Sequence, residues 1–291
     1  MTTTARGVKA SVVIDPAVIR PEAGRPARPE EHRGPAARVM ALARDLVDFE
    51  QSSLDRALRD HASYASGRLL DVGCGDKPYE KFFSPFVDSY VGAEYEDTYE
   101  TSANAKKGRA DVVYSGDRLP FEDASFDTVL SSQVAEHVPQ PGAFLSELVR
   151  VLRPSGRLIL TVPFSYRIHS EPNDFHRFTK YALQEYARQL GLDVEVLLPR
   201  GGLWSVVGAK LTTHIAHKYI RVGRELQKLG GLGYEARTFE APRYWTLPVA
   251  APAMALIAAA ARVLDLVDPD DSETLGYLFI ARKRAPGTDG A

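Results

Sequence analysis

Short apolar runs, each ending in polar or turn residues, recur along the middle of the chain. Between them the apolar residues follow helical spacing, and this alternation is typical of a parallel sheet with crossover helices. The runs predict strands at 69–72, 89–93, 111–114, 125–130 and 158–162, with later ones at 193–198 and 276–283. The sequence therefore predicts an α/β fold.

Apolar residues at helical spacing predict the helical parts of this pattern. The predicted helices cover 36–62, 78–86 as a helix or turn, 141–152, 180–190 and 210–229. Thr179 has the side chain of a helix N-cap, and Gly191 is suited to a helix stop. Pro154-Ser155-Gly156 is expected to end the helix over 141–152 before the next strand begins.

Composition along the chain predicts its domain organisation. The Pro-rich segment 1–35 is expected to be a disordered or loosely docked tail, and 36–200 a core with N-terminal helices. Residues 201–270 exceed an ordinary connection and are interpreted as a helical insertion or lid. The last strand of the core falls within 271–285, and 286–291 is expected to be a flexible C-terminus.

The first predicted strand ends in an acid and a tight glycine turn, Asp71-Val72-Gly73-Cys74-Gly75. Glycines there allow backbone angles or a close ligand approach that a side chain would block. A dinucleotide site would need a third glycine, but Pro78 stands at that position. An acid beside the turn also disfavours a polyphosphate. Cys74 lacks an identifiable base and is interpreted as a packing residue of this ligand-binding turn.

Glu94 ends the second predicted strand, 23 residues after Asp71. That distance is about one strand–helix–strand unit, where nucleotide-binding sheets place a ribose acid. A carboxylate can accept hydrogen bonds from both ribose hydroxyls. The alternative is an ordinary exposed glutamate at a strand end, and the spacing favours the ribose contact.

Several motifs in order resemble class I S-adenosylmethionine (SAM) dependent methyltransferases of the type 11 group. They are Asp71-x-Gly-x-Gly, Leu119-Pro120-Phe121, Ser125-Phe126-Asp127, Glu136-His137-Val138 and Arg150-Val151-Leu152-Arg153-Pro154-Ser155-Gly156. The resemblance covers roughly 66–165. It implies SAM as cofactor and a Rossmann-like, seven-stranded, mostly parallel sheet with helices on both faces and an antiparallel last strand. The C-terminal helical insertion interrupts that core.

The resemblance also implies further cofactor contacts. Asp117 would accept from the adenine amino group, although the segment before Leu119-Pro120-Phe121 is about two residues shorter than in the family. Gln133 and Val134 would lie along the methionine part of SAM. The pair Glu136 and His137 is largely structural in the family.

The loop after the fifth strand, residues 164–179, concentrates histidines, charges and aromatics where loops often carry function. It resembles a type 11 subset that carries a Pro-x-Asp-aromatic-x-Arg-Phe-Thr signature. His169 is our candidate general base, because a neutral imidazole can take a proton near neutral pH. His176 is the reserve candidate, and Tyr166 could orient the acceptor. Asp174 and Arg177 are candidates for substrate contact, or for a mutual salt bridge.

Charge and composition limit the partners. A net charge of −2, from 36 basic and 38 acidic residues, gives no general attraction to nucleic acid. The single cysteine fits a reducing cytoplasm. His214 and His217 lack a third ligand, so no metal site is predicted. The uncharged segment 245–261 is interpreted as a buried lid or homodimer helix, with peripheral membrane contact as the alternative.

These observations predict a SAM-dependent methyltransferase that methylates an oxygen of a small, partly apolar metabolite in a biosynthetic pathway. An aliphatic hydroxyl needs a base, and the histidine-rich loop supplies candidates. Two alternatives stay open: a membrane-associated methyltransferase of a lipid or glycolipid, and a SAM-binding protein without methyl transfer.

Overall fold

The computed structural model describes residues 45–96, 110–220 and 243–285. The predicted tail at 1–35, the first part of the helical stretch at 36–62 and the C-terminus at 286–291 lie outside these ranges. So does the end of the helix predicted at 210–229, which includes Arg221 and Arg224.

A seven-stranded sheet forms the centre of the molecule. Its strands are β1 (Arg68–Val72), β2 (Ser89–Tyr95), β3 (Val112–Tyr114), β4 (Phe126–Ser132), β5 (Leu152–Pro163), β6 (Leu192–Pro199) and β7 (Gly276–Lys283). Their spatial order is β3-β2-β1-β4-β5-β7-β6. The pairs among β1 to β5 are parallel, and β7 runs antiparallel to both of its neighbours. The predicted sheet, including its antiparallel last strand, is confirmed.

Helices cover both faces of the sheet. They are α1 (Phe49–Asp60), α2 (Glu80–Phe83), α3 (Pro141–Val151), α4 (Lys180–Gln189), α5 (Leu203–Ile215) and α6 (Leu247–Val267). Strand residues alternate between two buried clusters: Leu70 joins α3 and α4 in one, and Leu69 joins α1 and α2 in the other. This alternation is the period of two that buries both faces of a strand.

Local signals set the ends of α4 as predicted. The Thr179 hydroxyl accepts a hydrogen bond from the Ala182 N–H at 3.1 Å, and Gly191 has a φ of +65° just after the helix. The prediction for Pro154-Ser155-Gly156 was wrong, because β5 already begins at Leu152. The strand accommodates this segment with a register shift against β4 and a positive φ at Ser155.

The first helix of the predicted insertion begins earlier than expected. α5 starts at Leu203 rather than at Lys210, since its apolar first turns pack on α6. A π-helical turn, Ala216–Ile220, continues it. Where a Cβ on Gly208 would stand, Phe49 and Ala261 lie within 3 Å, so this glycine lets the helices approach.

α6 is less buried than the sequence suggested. The helical stretch Tyr244–Val267 has 24 residues and is long and apolar enough to cross a membrane by length and composition, while 22% of its most apolar part is buried. The buried residues are Ala250, Met254, Ala258 and Ala261. Within the described residues α6 therefore buries one narrow face, and its role as a lid, a homodimer helix or a membrane contact stays a prediction.

The N-terminal helix is tied to the edge at which the parallel strands end. Arg200, which follows β6, is 2% exposed and donates to the Glu50 carboxylate at 2.6 Å and to Ser53 Oγ at 3.2 Å. Both partners lie on α1. A helix from before the first strand thus lies beside the site edge of the sheet.

Candidate active site

The glycine turn after β1 is held against the end of β2. The Ala93 carbonyl accepts from the N–H groups of Gly73 at 2.8 Å and Cys74 at 3.2 Å. Gly73 and Gly75 have φ values of +76° and +50°, in the left-handed region. A Cβ on Gly73 would lie 2.4 Å from Val134 Cγ2. Only glycine at this position allows Val134 to pack directly against the turn.

Glu94 presents its carboxylate to the same turn. One oxygen accepts from the Gly75 N–H at 2.8 Å and the other from the Tyr95 N–H at 3.0 Å. Burial raises the pKa of Glu94, although these two N–H groups lower it. An ionised carboxylate has about four lone-pair sites, so two remain for a pair of hydroxyl groups. This geometry fits the ribose of SAM.

Asp71 lies beneath the turn and not on its surface. Its side chain accepts a hydrogen bond from Tyr90 Oη at 2.5 Å, and the residue is 2% exposed. Burial raises its pKa to about 7, while the bond from Tyr90 acts in the opposite direction. Asp71 and Glu94 together give this end of the sheet acidic character, which suits a cationic cofactor better than a polyphosphate.

A second pair beside the turn was missed by sequence reasoning. Lys77 forms a short salt bridge with Asp111, which also accepts from the Gly92 N–H at 2.7 Å. A Cβ on Gly92 would lie 2.5 Å from Lys77 Cε. This pair fixes the segment that leaves the glycine turn. The residues are distant in sequence, so no local pattern could have paired them.

The remaining predicted cofactor residues differ in their burial and contacts. Cys74 is buried, and burial raises the pKa of its thiol, so it packs without nucleophilic character. Gln133 has a φ of +56° and donates from Nε2 to Thr161 Oγ1 at 3.3 Å. Asp117 lies exposed on the turn after β3. The roles of Asp117, Gln133 and Val134 toward SAM stay predictions.

Replacing Glu94 with alanine should weaken binding of S-adenosylhomocysteine by at least about 10- to 100-fold, because even one lost hydrogen bond to a charged group costs roughly 1.5–3 kcal/mol. Calorimetric titration of the purified chain measures this. Glu122→Ala removes a carboxylate from an exposed position and is the matched control. Equal affinity in the two variants would remove Glu94 from the cofactor site.

The loop after β5 is organised by one arginine. Arg177 donates to both carboxylate oxygens of Asp174, at 2.6 and 2.8 Å. It also donates to the carbonyls of Tyr166, Arg167 and His176. Burial raises the pKa of Asp174, but the bonds from Arg177 and from the His169 N–H outweigh it and hold that pKa at about 2. The alternative of a mutual salt bridge is thus the one observed for Asp174 and Arg177.

The clamped loop brings three rings together. The His169 ring lies 4.7 Å from that of His137 and 5.0 Å from that of Tyr166, measured between centroids. His169 Nδ1 lies 3.3 Å from Asp174 Oδ2 and 3.3 Å from the Arg167 carbonyl. Burial lowers the pKa of His169, partly opposed by the charge of Asp174. Burial thus favours the neutral form of the ring.

The buried side chain of Glu136 lies next to His137. It is 0% exposed, and its Oε1 lies 3.8 Å from His137 Nε2. Burial raises its pKa to about 7. The sequence identified Glu136 and His137 only as a structural pair, because nothing local indicates that a loop some thirty residues later will place His169 beside them.

His176, the reserve base, faces elsewhere. Its Nε2 lies 3.3 Å from the Pro139 carbonyl, and its ring packs between those of Phe175 and Phe178. Of the predicted catalytic residues, the structure brings Tyr166, His169, Asp174 and Arg177 together and leaves His176 outside.

The strand order and the acid-flanked glycine turn together define a class I methyltransferase domain with a Rossmann-like sheet. The family model described as "Methyltransferase domain", of the type 11 group, matches residues 70–160. Residues 70–160 therefore carry the methyltransferase domain that the motifs predicted. The resemblance seen in the motifs is confirmed.

Relatives in mycobacteria carry the same description. An uncharacterized methyltransferase of Mycobacterium tuberculosis is 38% identical over 135 residues, covering 45% of this chain and 52% of the relative. One of Mycolicibacterium paratuberculosis is 39% identical over 173 residues, covering 55% and 65% respectively. The chain spans about half the length of the first of these relatives and about two thirds of the second.

Solved methyltransferases are more distant. A putative methyltransferase of Bacillus halodurans has a TM-score of 0.44 at 18% identity, covering 80% of this chain and all of that one. Phosphoethanolamine N-methyltransferase 2 of Haemonchus contortus, determined with SAM, has a TM-score of 0.45 at 16% identity, covering 81% and 53%. Our assignment of the fold rests on the strand order of this chain itself.

Proposed function

We propose that the protein is a SAM-dependent methyltransferase that methylates a hydroxyl group of a small, partly apolar metabolite. The observation that carries the proposal is the group of Tyr166, His169 and Asp174 after β5, at the edge of the sheet where β1 and β2 end in the glycine turn and Glu94. Cofactor residues and a polar acceptor loop thus share one edge of the sheet.

Each residue group has a defined task. The glycine turn and Glu94 would hold the nucleoside part of SAM, which when bound supplies a methyl group whose bond to sulfur breaks as its bond to the acceptor oxygen forms. His169 accepts the hydroxyl proton on Nε2, because Nδ1 faces two oxygen acceptors and must carry a hydrogen. Asp174 and Arg177 are positioning residues that fix the ring.

A lipid or glycolipid acceptor is the second candidate, favoured by the outer face of α6. Trp245, Val249, Leu256 and Leu266 are each more than 70% exposed. Exposed apolar faces of this kind mark contacts with membranes or proteins. Such contact would place the domain at a lipid surface without changing the chemistry of the site.

Transfer of radiolabelled methyl groups from SAM into an extract of small metabolites and lipids tests both candidates. We expect label in the aqueous or weakly apolar fraction for the first and in the lipid fraction for the second. His169→Ala should lower incorporation by about 100-fold, the typical contribution of a general base, and leave S-adenosylhomocysteine affinity within twofold.

The opposing outcomes are distinct. Cofactor binding without any incorporation would favour a SAM-binding protein that transfers no methyl group. Full activity of His169→Ala would show that His169 is not the general base. Alignment of the acceptor with the methyl group would then account for the rate of transfer.

A further inference from the structure

We propose that Glu136, His137 and His169 form a binding site for a divalent transition-metal ion of the zinc type. One ligand atom from each lies within 4.8 Å of the other two. The residues come from two segments, the 3₁₀ turn Ala135–His137 after β4 and the loop after β5. Two imidazoles and one carboxylate are a common ligand set for zinc sites that keep a fourth position open.

The hydrogen bonds of His137 and His169 engage Nδ1 of each ring and leave Nε2 available to bind a metal ion. His137 Nδ1 lies 2.5 Å from the Asn173 carbonyl, which can only accept, so Nδ1 carries the hydrogen. The lone pair of the neutral ring is then on Nε2, the atom that lies 3.8 Å from Glu136 Oε1. His169 Nδ1 is likewise directed at oxygen acceptors. Histidines that bind metals are typically oriented by such outer hydrogen bonds.

Glu136 is an independent indication of a ligand. Both of its carboxylate oxygens are buried without a hydrogen-bond partner of normal geometry among the described residues. A buried carboxylate left in this state is costly. The nearby cations are engaged elsewhere, since Arg177 pairs with Asp174 and Arg200 with Glu50. A metal ion would supply the missing partner.

The site needs only a small contraction to bind. Ligand atoms about 2.1 Å from a tetrahedral zinc ion are roughly 3.4 Å apart. The observed separations of 3.8 Å for Glu136–His137 and up to 4.8 Å overall therefore require a shift on the order of 1 Å. Rotation of the imidazole of His169, which lies on a loop, can supply it.

This inference rests on the proposed function for its consequence, although the binding itself does not. An ion here would lie on the acceptor side of the cofactor residues and could lower the pKa of an acceptor hydroxyl, with the proton released to solvent. His169 would be a ligand in the metal-loaded chain and the proton acceptor in the metal-free chain.

The test uses the full chain without an affinity tag, freed of metals by a chelator and then titrated. Zn²⁺ is followed by calorimetry and Co²⁺ by its visible absorption. We expect one ion per chain, bound about 100-fold more weakly or not at all by Glu136→Gln, His137→Ala and His169→Ala. His214→Ala is the matched control, since it disrupts the histidine pair His214 and His217 elsewhere and should leave binding unchanged.

Two results would overturn the site. One is wild-type protein that binds S-adenosylhomocysteine normally but neither ion, which leaves the methyltransferase proposal standing. The other is ion binding that survives in His137→Ala and His169→Ala but is lost in His214→Ala. His137 and His169 have side chains 25% and 22% exposed, so their variants should stay folded and carry the test even if Glu136→Gln does not.

Discussion

Gly73→Ala is expected to weaken S-adenosylhomocysteine binding by roughly 10- to 100-fold, equivalent to about 1.4–2.8 kcal/mol, because it displaces the turn that is predicted to contact the cofactor. Two physical effects combine at this position. The backbone φ of +76° is unfavourable for alanine, and the added Cβ would lie 2.4 Å from Val134 Cγ2. Relief of that clash must move either Val134 or the turn, and both are predicted to contact the cofactor.

Gly191→Ala separates these effects, because its φ of +65° is similarly strained while nothing lies within 4 Å of the added Cβ. We expect it to lower the free energy of unfolding by about 1–3 kcal/mol and to leave cofactor affinity unchanged. Calorimetric titration compares the two variants with the wild type. Wild-type affinity in Gly73→Ala would show that the turn does not form part of the cofactor site.

The features of the fold that could be predicted from the sequence are those that depend on residues close together in the chain. Apolar runs of strand length predicted the strands, because central strands such as β1 bury both of their faces. Thr179 and Gly191 gave the ends of α4, since a cap acts within three residues of itself. The motif order added the antiparallel β7, which no local pattern specifies.

What sequence reasoning missed depends on contacts between distant segments. α5 begins at Leu203 because it packs on α6, and β5 begins at Leu152 because it pairs with Phe126 of β4. The salt bridge between Lys77 and Asp111 and the grouping of His137 with His169 arise in the same way. Composition identified a histidine-rich loop, but only the fold shows which histidine joins Glu136 and which faces Pro139.

Arg177→Met is expected to lower turnover by about 100-fold and the free energy of unfolding by about 3 kcal/mol at pH 7, because one guanidinium holds the loop together. The variant loses the bidentate bond to Asp174 and the bonds to three loop carbonyls. It also leaves Asp174, whose side chain is 3% exposed, without its cation. His169 then loses its fixed orientation, whereas S-adenosylhomocysteine affinity should stay within twofold.

The loss of stability should depend on pH in a defined direction. The pKa of Asp174 is about 2 in the folded chain, below its ordinary value of 3.8, so the ion pair stabilises the fold above about pH 4 and loses this effect as pH falls toward 2. Urea unfolding should therefore show a large difference between Arg177→Met and wild type at pH 7 and a smaller one at pH 3. Arg188→Met, which breaks an exposed ion pair with Glu185 on α4, is the control and should change little at either pH. An equal loss in the two variants, or a difference for Arg177→Met that grows on acidification, would show that the Asp174–Arg177 pair does not hold the acceptor loop.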